Sequence, residues 1–247
     1  MNFFSIFKRN LIYKFKNKIS IDSKKVEYKS LDELFHYYGS DKANIFRIKN
    51  SKGHGFSKFY EDYLLGLRNK KLKILEVGSY AGASAAAFSN YIPDAKIICL
   101  DINISNFKYS SKNIEVFGVD IKNKKQVGKI LTKVFSKFDF SKFDLIIDDG
   151  SHKLSDILFS IKFFFEHLSK GGFYVIEDYK HPNYYIYNKD IDDILIDDFI
   201  KCLEKKKFFN SLTLNKADQD FLFNNIESIK TFKGNLEDSD ICFISKN

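Results

Sequence analysis

The chain has 247 residues, of which 44% are hydrophobic and 29% charged, and this suits one globular domain with short additions. Its net charge of +8 is uneven, because residues 1–30 carry +6 and the rest of the chain only +2. The basic balance is therefore poor evidence for a domain that binds nucleic acid. No apolar run reaches the roughly 18 residues of a membrane-spanning helix.

The first 16 residues, MNFFSIFKRNLIYKFK, mix apolar and basic side chains without a cleavable-signal pattern. Two interpretations stay open for this stretch. It forms a helix that packs on the domain or on a second subunit, or it contacts an anionic membrane surface through residues 1–20. We predict a basic N-terminal extension over residues 1–30 and one domain over residues 31–247.

The three cysteines, Cys99, Cys202 and Cys242, are far apart and form no CxxC pair. Cys99 and Cys242 stand in apolar runs, which predicts buried thiols. Three distant cysteines of this kind argue against a disulfide framework and favour a protein of the reducing cytoplasm.

The predicted elements begin with helices at about 31–38 and 56–68, separated by a loop that runs from Gly39 to Gly55. Strands and helices then alternate, which implies βαβ units and a parallel sheet. The predicted strands are Lys73–Val77, Lys96–Asp101, Ile114–Val119, Leu145–Asp148 and Gly172–Glu177. The predicted helices lie at about 82–91, 123–135, 154–168 and 191–205.

The last two strands are different, because Ile226–Lys233 and Asp240–Lys246 are joined by a short turn and form a hairpin. We therefore predict an α/β fold with a seven-stranded, mostly parallel sheet and a C-terminal antiparallel hairpin, the Rossmann-like architecture of class I methyltransferases. Residues 178–190 form a polar, Tyr-rich loop at the carboxyl end of a strand, where open α/β sheets bind ligands.

A glycine turn follows the first strand of this sheet, in the segment ILEVGSYAGAS over residues 74–84. Gly78 and Gly82 allow a sharp bend and a close approach to a ligand. Their G-x-x-x-G spacing is not the G-x-G-x-x-G of dinucleotide folds. Glu76, just before the turn, suits a cationic ligand, so S-adenosylmethionine fits better than NAD. A purely structural turn is the alternative.

Acidic residues also end the next two strands. Asp101 is placed to accept hydrogen bonds from ribose hydroxyls, and Asp120 with Ile121 to lie against adenine. The alternative is that both aspartates cap helices. We predict that S-adenosylmethionine is bound by Glu76, Gly78, Ser79, Tyr80, Gly82, Ser84, Asp101, Ile102, Asp120, Ile121 and Asp148.

Two carboxylate pairs end the fourth and fifth strands, Asp148-Asp149 and Glu177-Asp178. At one sheet edge they would repel each other, and a hard cation such as Mg²⁺, Ca²⁺ or Mn²⁺ would compensate. His152, close to Asp149, is suited to remove a proton from a hydroxyl beside that cation.

Structural alternatives stay open for these residues. Asp148-Asp149 can form a turn before Gly150, Ser151 or Asp149 can cap the next helix, and His152 can be a surface residue. His36 and His167 stand in helical patterns and are expected to be structural, whereas His181 lies in the Tyr-rich loop and can touch the substrate.

Four segments together resemble the metal-dependent macrolide-sugar O-methyltransferases of the macrocin and mycinamicin type. They are DGSH at 149–152, GGFYVIED at 171–178, YGSDK at 38–42 and HGFSKFY at 54–60. The resemblance covers about residues 35–180. The chain departs from the family pattern at Ala43, where Gly is expected, and in a stretched loop at 44–52.

The resemblance implies roles for several residues. Asp149, Glu177 and Asp178 would bind Mg²⁺, with Asp149 and His152 at the catalytic centre and His152 as general base. Lys42 and Tyr60 would lie near the cofactor, and His54, Tyr179 and His181 near the substrate.

The expected function is S-adenosylmethionine- and Mg²⁺-dependent O-methylation of a sugar hydroxyl, on a nucleotide-activated sugar for capsule or lipopolysaccharide. Two alternatives stay open: a methyltransferase, O- or N-, for a non-sugar small molecule, and a non-catalytic cofactor-binding module in a polysaccharide assembly. We expect a homo-oligomer that is cytoplasmic or membrane-peripheral and has no nucleic-acid partner.

Overall fold

The structure, a computed structural model, describes residues 3–22, 26–27, 30–181 and 193–247. Within these ranges the strands are β1 (Ile19–Ser20), β2 (Ile45–Phe46), β3 (Ser51–Lys52), β4 (Lys73–Val77), β5 (Lys96–Asp101), β6 (Tyr109–Ser110), β7 (Ile114–Gly118), β8 (Phe143–Asp148), β9 (Leu168–Glu177), β10 (Ile226–Lys233) and β11 (Asp240–Lys246).

The central sheet has seven strands in the order β10-β11-β9-β8-β4-β5-β7. Strand β11 pairs antiparallel with both of its neighbours, whereas the strands from β9 to β7 pair in parallel. The predicted fold class, with its C-terminal antiparallel hairpin, is confirmed.

The helices of the described ranges are α1 (Phe3–Phe15), α2 (Leu31–Tyr38), α3 (Ser57–Leu64), α4 (Ala83–Tyr91), α5 (Lys124–Phe138), α6 (Leu154–Phe164), α7 (Ile196–Glu204) and α8 (Lys216–Asn225). They cover both faces of the sheet. In β5, Ile97 packs in the core formed with α2–α4, and its neighbour Ile98 packs in the core formed with α5–α8. Alternate strand residues point to opposite faces, so an unbroken apolar strand fills both cores.

The predicted bounds of β4, β5, β10 and β11 are those of the structure. Strands β8 and β9 begin earlier than predicted, at Phe143 and Leu168, and β7 ends at Gly118. Single 3-10 turns at Leu65–Leu67 and Phe165–His167 replace the predicted last turns of α3 and α6.

Two C-terminal helices differ from the prediction. Helix α7 begins at Ile196 rather than 191, and residues 191–192 lie outside the described ranges, as do residues 182–190 of the predicted Tyr-rich loop. Helix α8 was not predicted, although Asn215 and Asp218 form a capping box at its start.

The N-terminal segment packs on the domain. The Asn10 side chain donates to the Gly118 carbonyl at 3.0 Å, and Lys16 Nζ donates to the Ser105 carbonyl at 2.9 Å. Strand β1 pairs in parallel with β6. In the described part of the chain, no helix is long and apolar enough to span a membrane.

The loop between α2 and α3 contains a small antiparallel hairpin, β2–β3, formed by the stretched segment 44–52. This segment stands between YGSDK and HGFSKFY, and residues 38–60 are called the leading motif below. The described cysteines are free, with Cys99 and Cys242 buried as predicted.

Candidate active site

The candidate site lies along the carboxyl edge of the parallel strands. The register pairs Val77 of β4 with Asp148 of β8, and Asp148 with Ile176 of β9. Asp149 and Glu177 each follow these pairs by one residue, so the two carboxylates become neighbours. On the other side of β4, Asp101 ends β5 opposite Gly118 of β7. The parallel register therefore brings together the strand-end acids that the sequence singled out.

The turn after β4 depends on Gly78. Its φ is +88°, and a Cβ there would lie 1.9 Å from the Asp149 carbonyl oxygen, so the β4 turn and the β8 turn touch through their backbones. Gly82, with φ +78°, precedes α4, and the Phe107 ring fills the space that a side chain would take. Both positions require glycine for the sharp bend that the sequence predicted, and Gly78 also lies in the wall of the site.

Glu76 is a buried acid behind this turn, 1% exposed. The Ser84 hydroxyl donates to Oε1, whereas Oε2 has no hydrogen-bond partner among the described residues. Burial raises the pKa of Glu76, opposed by the nearby charge of Lys42. A buried acceptor oxygen without a donor fits a cationic ligand group bound beside it.

Asp101 and Asp120 do not cap helices. The Asp101 carboxylate accepts from the Tyr80 amide at 2.7 Å and the Asn103 amide at 2.6 Å. Asp120 accepts from the Lys122 amide at 3.0 Å. The caps of the following helical segments are instead Asn103 and Asn123, so the capping alternative fails for both aspartates.

Two adjoining cavities open at this edge. The first, about 170 Å³, lies over the ends of β4, β5 and β7. The second, about 610 Å³, lies between the β4 turn and the leading motif. Of the predicted site residues, the first is lined by Gly78, Asp101, Ile102, Asp120, Ile121, Asp148 and His152. The second is lined by Lys42, Gly78, Ser79, Tyr80, Ser84, Asp101, Asp149 and His152.

Gly78, Asp101 and His152 line both cavities, so the two form one elongated site. Glu76 and Gly82 line neither and lie behind the turn. Tyr60 also lines neither: it is 0% exposed, and its hydroxyl donates to Glu177 Oε1 at 2.5 Å. Tyr60 therefore lies beneath the carboxylates of Asp149, Glu177 and Asp178, called the acidic cluster below, and its place near the cofactor stays a prediction.

Asp149, His152 and Asp178 bring one ligand atom each to within 4.8 Å of one another. His152 Nε2 lies 3.6 Å from Asp149 Oδ1. The buried Asp178 Oδ1 has His54 Nδ1 as a polar neighbour at 3.2 Å. The two carboxylates at these distances fit a divalent cation, and the imidazole would lie beside it.

Glu177, the third predicted metal ligand, faces a different set of groups. Lys42 Nζ donates to its Oε2 at 2.5 Å and also contacts Asp149, while Tyr60 holds Oε1. A lysine thus balances part of the negative charge of the acidic cluster. This contact was not predicted from the sequence, where a cation alone was expected to offset the repulsion between the carboxylates.

The backbone at the cluster has unusual dihedral angles. His152 and Asp178 have φ values of +54° and +48°. A positive φ is costly for a residue with a Cβ and is concentrated at functional sites. The predicted alternative of a helix cap fails for Asp149, because α6 is preceded by Lys153 and has no side-chain cap.

Burial perturbs the titration of the acids. It raises the pKa of Asp148 to about 7, and it raises the pKa of Asp149, which the charge of Lys42 opposes. Burial also raises the pKa of Glu177 to about 8, again opposed by Lys42. Perturbed acids in a cleft are typical of functional sites.

The predicted substrate residues lie at different depths. His54 Nδ1 is 3.2 Å from Asp178 Oδ1 and 2.8 Å from the Ser239 hydroxyl. Burial alone would lower the pKa of His54, but the Asp178 carboxylate outweighs it and raises this pKa to about 9. The His181 ring lies 5.1 Å from that of His152, although His181 itself lines neither cavity. Tyr179 is buried and lines neither cavity.

Several residues of the site were not predicted. Lys49 and Lys108 line the second cavity, and Val119 and Leu100 line the first. The two apolar residues stand at the ends of the predicted strands β5 and β7, so their place at the edge of the sheet could have been predicted from the sequence. The lysines come from loops, where sequence periodicity carries no information on position.

Part of the chain matches a known protein family. Residues 75–179 match the model of a family described as a methyltransferase domain. The matched segment runs from β4 to just past the end of β9, so it contains the carboxyl edge of the parallel strands.

Its relatives point to a narrower group. The chain is 32% identical to L-olivosyl-oleandolide 3-O-methyltransferase of Streptomyces antibioticus over 157 residues, which are 60% of this chain and 36% of that protein. It is 27% identical to mycinamicin VI 2''-O-methyltransferase of Micromonospora griseorubida over 132 residues, 51% of this chain and 31% of that protein. The resemblance to the macrolide-sugar O-methyltransferases is confirmed, although the chain spans about a third of the length of these relatives.

A solved structure has the same fold. It is the MycE methyltransferase from the mycinamycin biosynthetic pathway, in complex with Mg, SAH and mycinamycin VI. The TM-score is 0.67 at 21% identity, over 89% of this chain and 55% of that one.

Proposed function

We propose that this protein is an S-adenosylmethionine- and Mg²⁺-dependent O-methyltransferase that acts on a sugar hydroxyl. One observation carries the proposal: the two cavities meet at His152, within 3.6 Å of Asp149 in the acidic cluster. A methyl donor in the elongated site would then lie next to a base and to a cation site. The names of the relatives, which are sugar O-methyltransferases, support the same reaction class.

The cofactor would extend along both cavities. Its adenosine would lie in the first cavity, with the ribose hydroxyls on Asp101 and the adenine near Asp120 and Ile121. Its amino-acid end would lie in the second cavity, which Ser84 lines, and the unpartnered Oε2 of Glu76, behind the turn and bonded to Ser84 through Oε1, would favour an ammonium group there.

Asp149 and Asp178 would hold Mg²⁺, and Glu177 would be a third ligand. When bound, the cation supplies orientation and acidification of the acceptor hydroxyl. His152, on the β8 turn, would accept the proton of that hydroxyl. As the acceptor oxygen bonds to the methyl carbon, the carbon–sulfur bond breaks, its electron pair stays on sulfur, and the proton passes to His152.

The acceptor sugar is proposed to carry a nucleotide and to serve a capsule or lipopolysaccharide. A third cavity, about 360 Å³, is lined by Lys49 and Lys52 of the β2–β3 hairpin, by His54 and by one acid, Asp41. Lys49 also lines the second cavity. Residues 44–52 contain three cations and no acid, so the hairpin offers positive charge to an anionic group close to Asp178.

The N-terminal helix is proposed to lie on the cytoplasmic surface of an anionic membrane. Its outer face exposes Phe4 by 72% and Phe15 by 78%, with Phe7, Leu11 and Ile12 between them. Residues 1–21 contain five cations and no acid, a charge that complements anionic lipid. A second copy of the chain on this face, the expected homo-oligomer, is the competing outcome.

A methyl-transfer screen with S-adenosylmethionine, Mg²⁺ and a panel of nucleotide-sugars and free sugars tests the function. The proposal expects a methylated sugar with at least one acceptor and loss of the product in EDTA. Activity that persists in EDTA would overturn the metal dependence. Product only with phenol or amine acceptors would overturn the sugar assignment, and cofactor binding without any product across the panel would favour a binding module.

A further inference from the structure

Lys42 is a buried cation within the acidic cluster. It follows α2 by four residues and is 2% exposed. Its ammonium donates to Asp149 and, at 2.5 Å, to Glu177 Oε2. Because Asp149 follows β8 and Glu177 ends β9, one lysine joins the ends of two neighbouring strands.

Lys42 also lines the second cavity, together with Ser40 and Asp41. An ammonium that left the carboxylates would enter this cavity rather than the apolar core.

We propose that the Lys42 ammonium and a divalent cation compete for Asp149 and Glu177, so that cation binding turns Lys42 into the second cavity. The inference rests on the proposed metal site. Glu177 has both oxygens engaged, by Tyr60 and by Lys42. A divalent cation on Asp149 and Asp178 would lie beside the ammonium, and like charges at such distances repel strongly. For Glu177 to become a ligand, Lys42 must leave its Oε2.

The displaced ammonium would then face the proposed position of the amino-acid end of the cofactor. A carboxylate bound there would pair with it. Cation binding and cofactor binding would thus favour each other, with Lys42 as the residue that couples them. Lys42 acts here as a positioning residue.

The test compares Mn²⁺ affinity, measured by electron paramagnetic resonance, in the wild type and in Lys42→Met. The proposal expects Lys42→Met to bind Mn²⁺ at least tenfold more tightly, because the competing charge is gone. Lys42→Arg keeps the charge and should remain close to the wild type. Lys70→Met, which alters an exposed lysine that lines neither cavity, should leave the affinity unchanged.

Calorimetry with S-adenosylmethionine supplies a second readout. In the wild type, Mg²⁺ should tighten cofactor binding severalfold, and this coupling should disappear in Lys42→Met. Equal or weaker Mn²⁺ binding by Lys42→Met, or unchanged coupling, would overturn the inference and leave the proposed metal site standing. Failure of both proteins to bind Mn²⁺ would overturn the metal site itself.

A measurement on the wild type avoids any folding defect of the variant. Crystal structures with and without Mn²⁺ should differ in the separation of Lys42 Nζ and Glu177 Oε2, which is 2.5 Å here. An unchanged separation with Mn²⁺ bound would contradict the competition.

Discussion

At the scale of single residues, some side chains reach the site from the end of their own strand, and others reach it through contacts between residues far apart in the sequence. The position of Glu76, Asp101 and Asp120 at one edge of the sheet was predictable, because each stands near the end of an apolar strand and parallel strands bring such ends together. The contacts of Lys42 and Tyr60 with Glu177 were not, since they join residues 135 and 117 positions apart. Loop residues have no periodicity from which their three-dimensional neighbours can be inferred.

His152 is the residue on which the proposed chemistry depends. His152→Ala should lower the turnover number by about 10²–10⁴-fold, the usual contribution of a general base. Its affinity for S-adenosylmethionine should change much less, because Asp101 and Glu76 remain. Steady-state kinetics and calorimetry separate the two effects.

His167→Asn is the matched control for this substitution, because His167 lies in a 3-10 turn near Glu166, away from the cavities. Full turnover in His152→Ala would refute the assignment of the base.

At the scale of elements, alternation of apolar strands with helical patterns was sufficient to predict the sheet and the C-terminal hairpin. Helix α8 escaped prediction because polar residues interrupt its apolar positions, and only Gln219, Leu222 and Phe223 are buried. The β2–β3 hairpin escaped because each of its strands has two residues, which is too short for a period to appear.

The hairpin should determine affinity for anionic acceptors. Lys52→Glu places a negative charge at the third cavity and should weaken binding of uridine diphosphate, used as a probe, by about tenfold, since a charge-assisted contact is lost and repulsion is added. Cofactor affinity should not change, as Lys52 does not line the first two cavities.

Calorimetry measures both affinities for the hairpin variant. Lys70→Glu alters an equally exposed lysine remote from the site and serves as control. An equal loss of affinity for uridine diphosphate in both variants would mean that the net charge of the protein, and not the hairpin, determines binding.

Helix α1 should determine binding to lipid. Phe7→Glu with Leu11→Glu changes two exposed residues of its apolar face and should abolish sedimentation with vesicles rich in phosphatidylserine. Leu212→Glu, at a residue that is 81% exposed elsewhere, should leave sedimentation intact.

Lipid composition and oligomeric state distinguish the occupants of this face. Equal binding to neutral vesicles would contradict the charge argument. A wild-type dimer in light scattering that becomes a monomer in the double variant would assign the face to a second copy.

At the scale of the whole molecule, stability should depend on pH through His167. Burial lowers the pKa of this histidine below the value of 6.5 that it has in the unfolded chain. The unfolded state therefore binds more protons as the pH falls below about 6.5, and the contribution of His167 to stability is complete only above that pH. Thermal denaturation should show a smaller loss of Tm between pH 7.5 and 5.5 in His167→Asn than in the wild type. A larger loss of Tm in the variant would contradict the predicted destabilising effect of His167 at low pH.

The central claim is that the carboxyl edge of the sheet binds S-adenosylmethionine. Calorimetric titration of the wild type, Asp101→Asn and the exposed control Asp94→Asn tests it most directly. The wild type and Asp94→Asn should bind one cofactor per chain with the same affinity. Asp101→Asn should bind about tenfold or more weakly, because an acceptor of charge-assisted hydrogen bonds is lost. Equal affinity in all three proteins, or no binding by the wild type, would contradict the assignment of this edge.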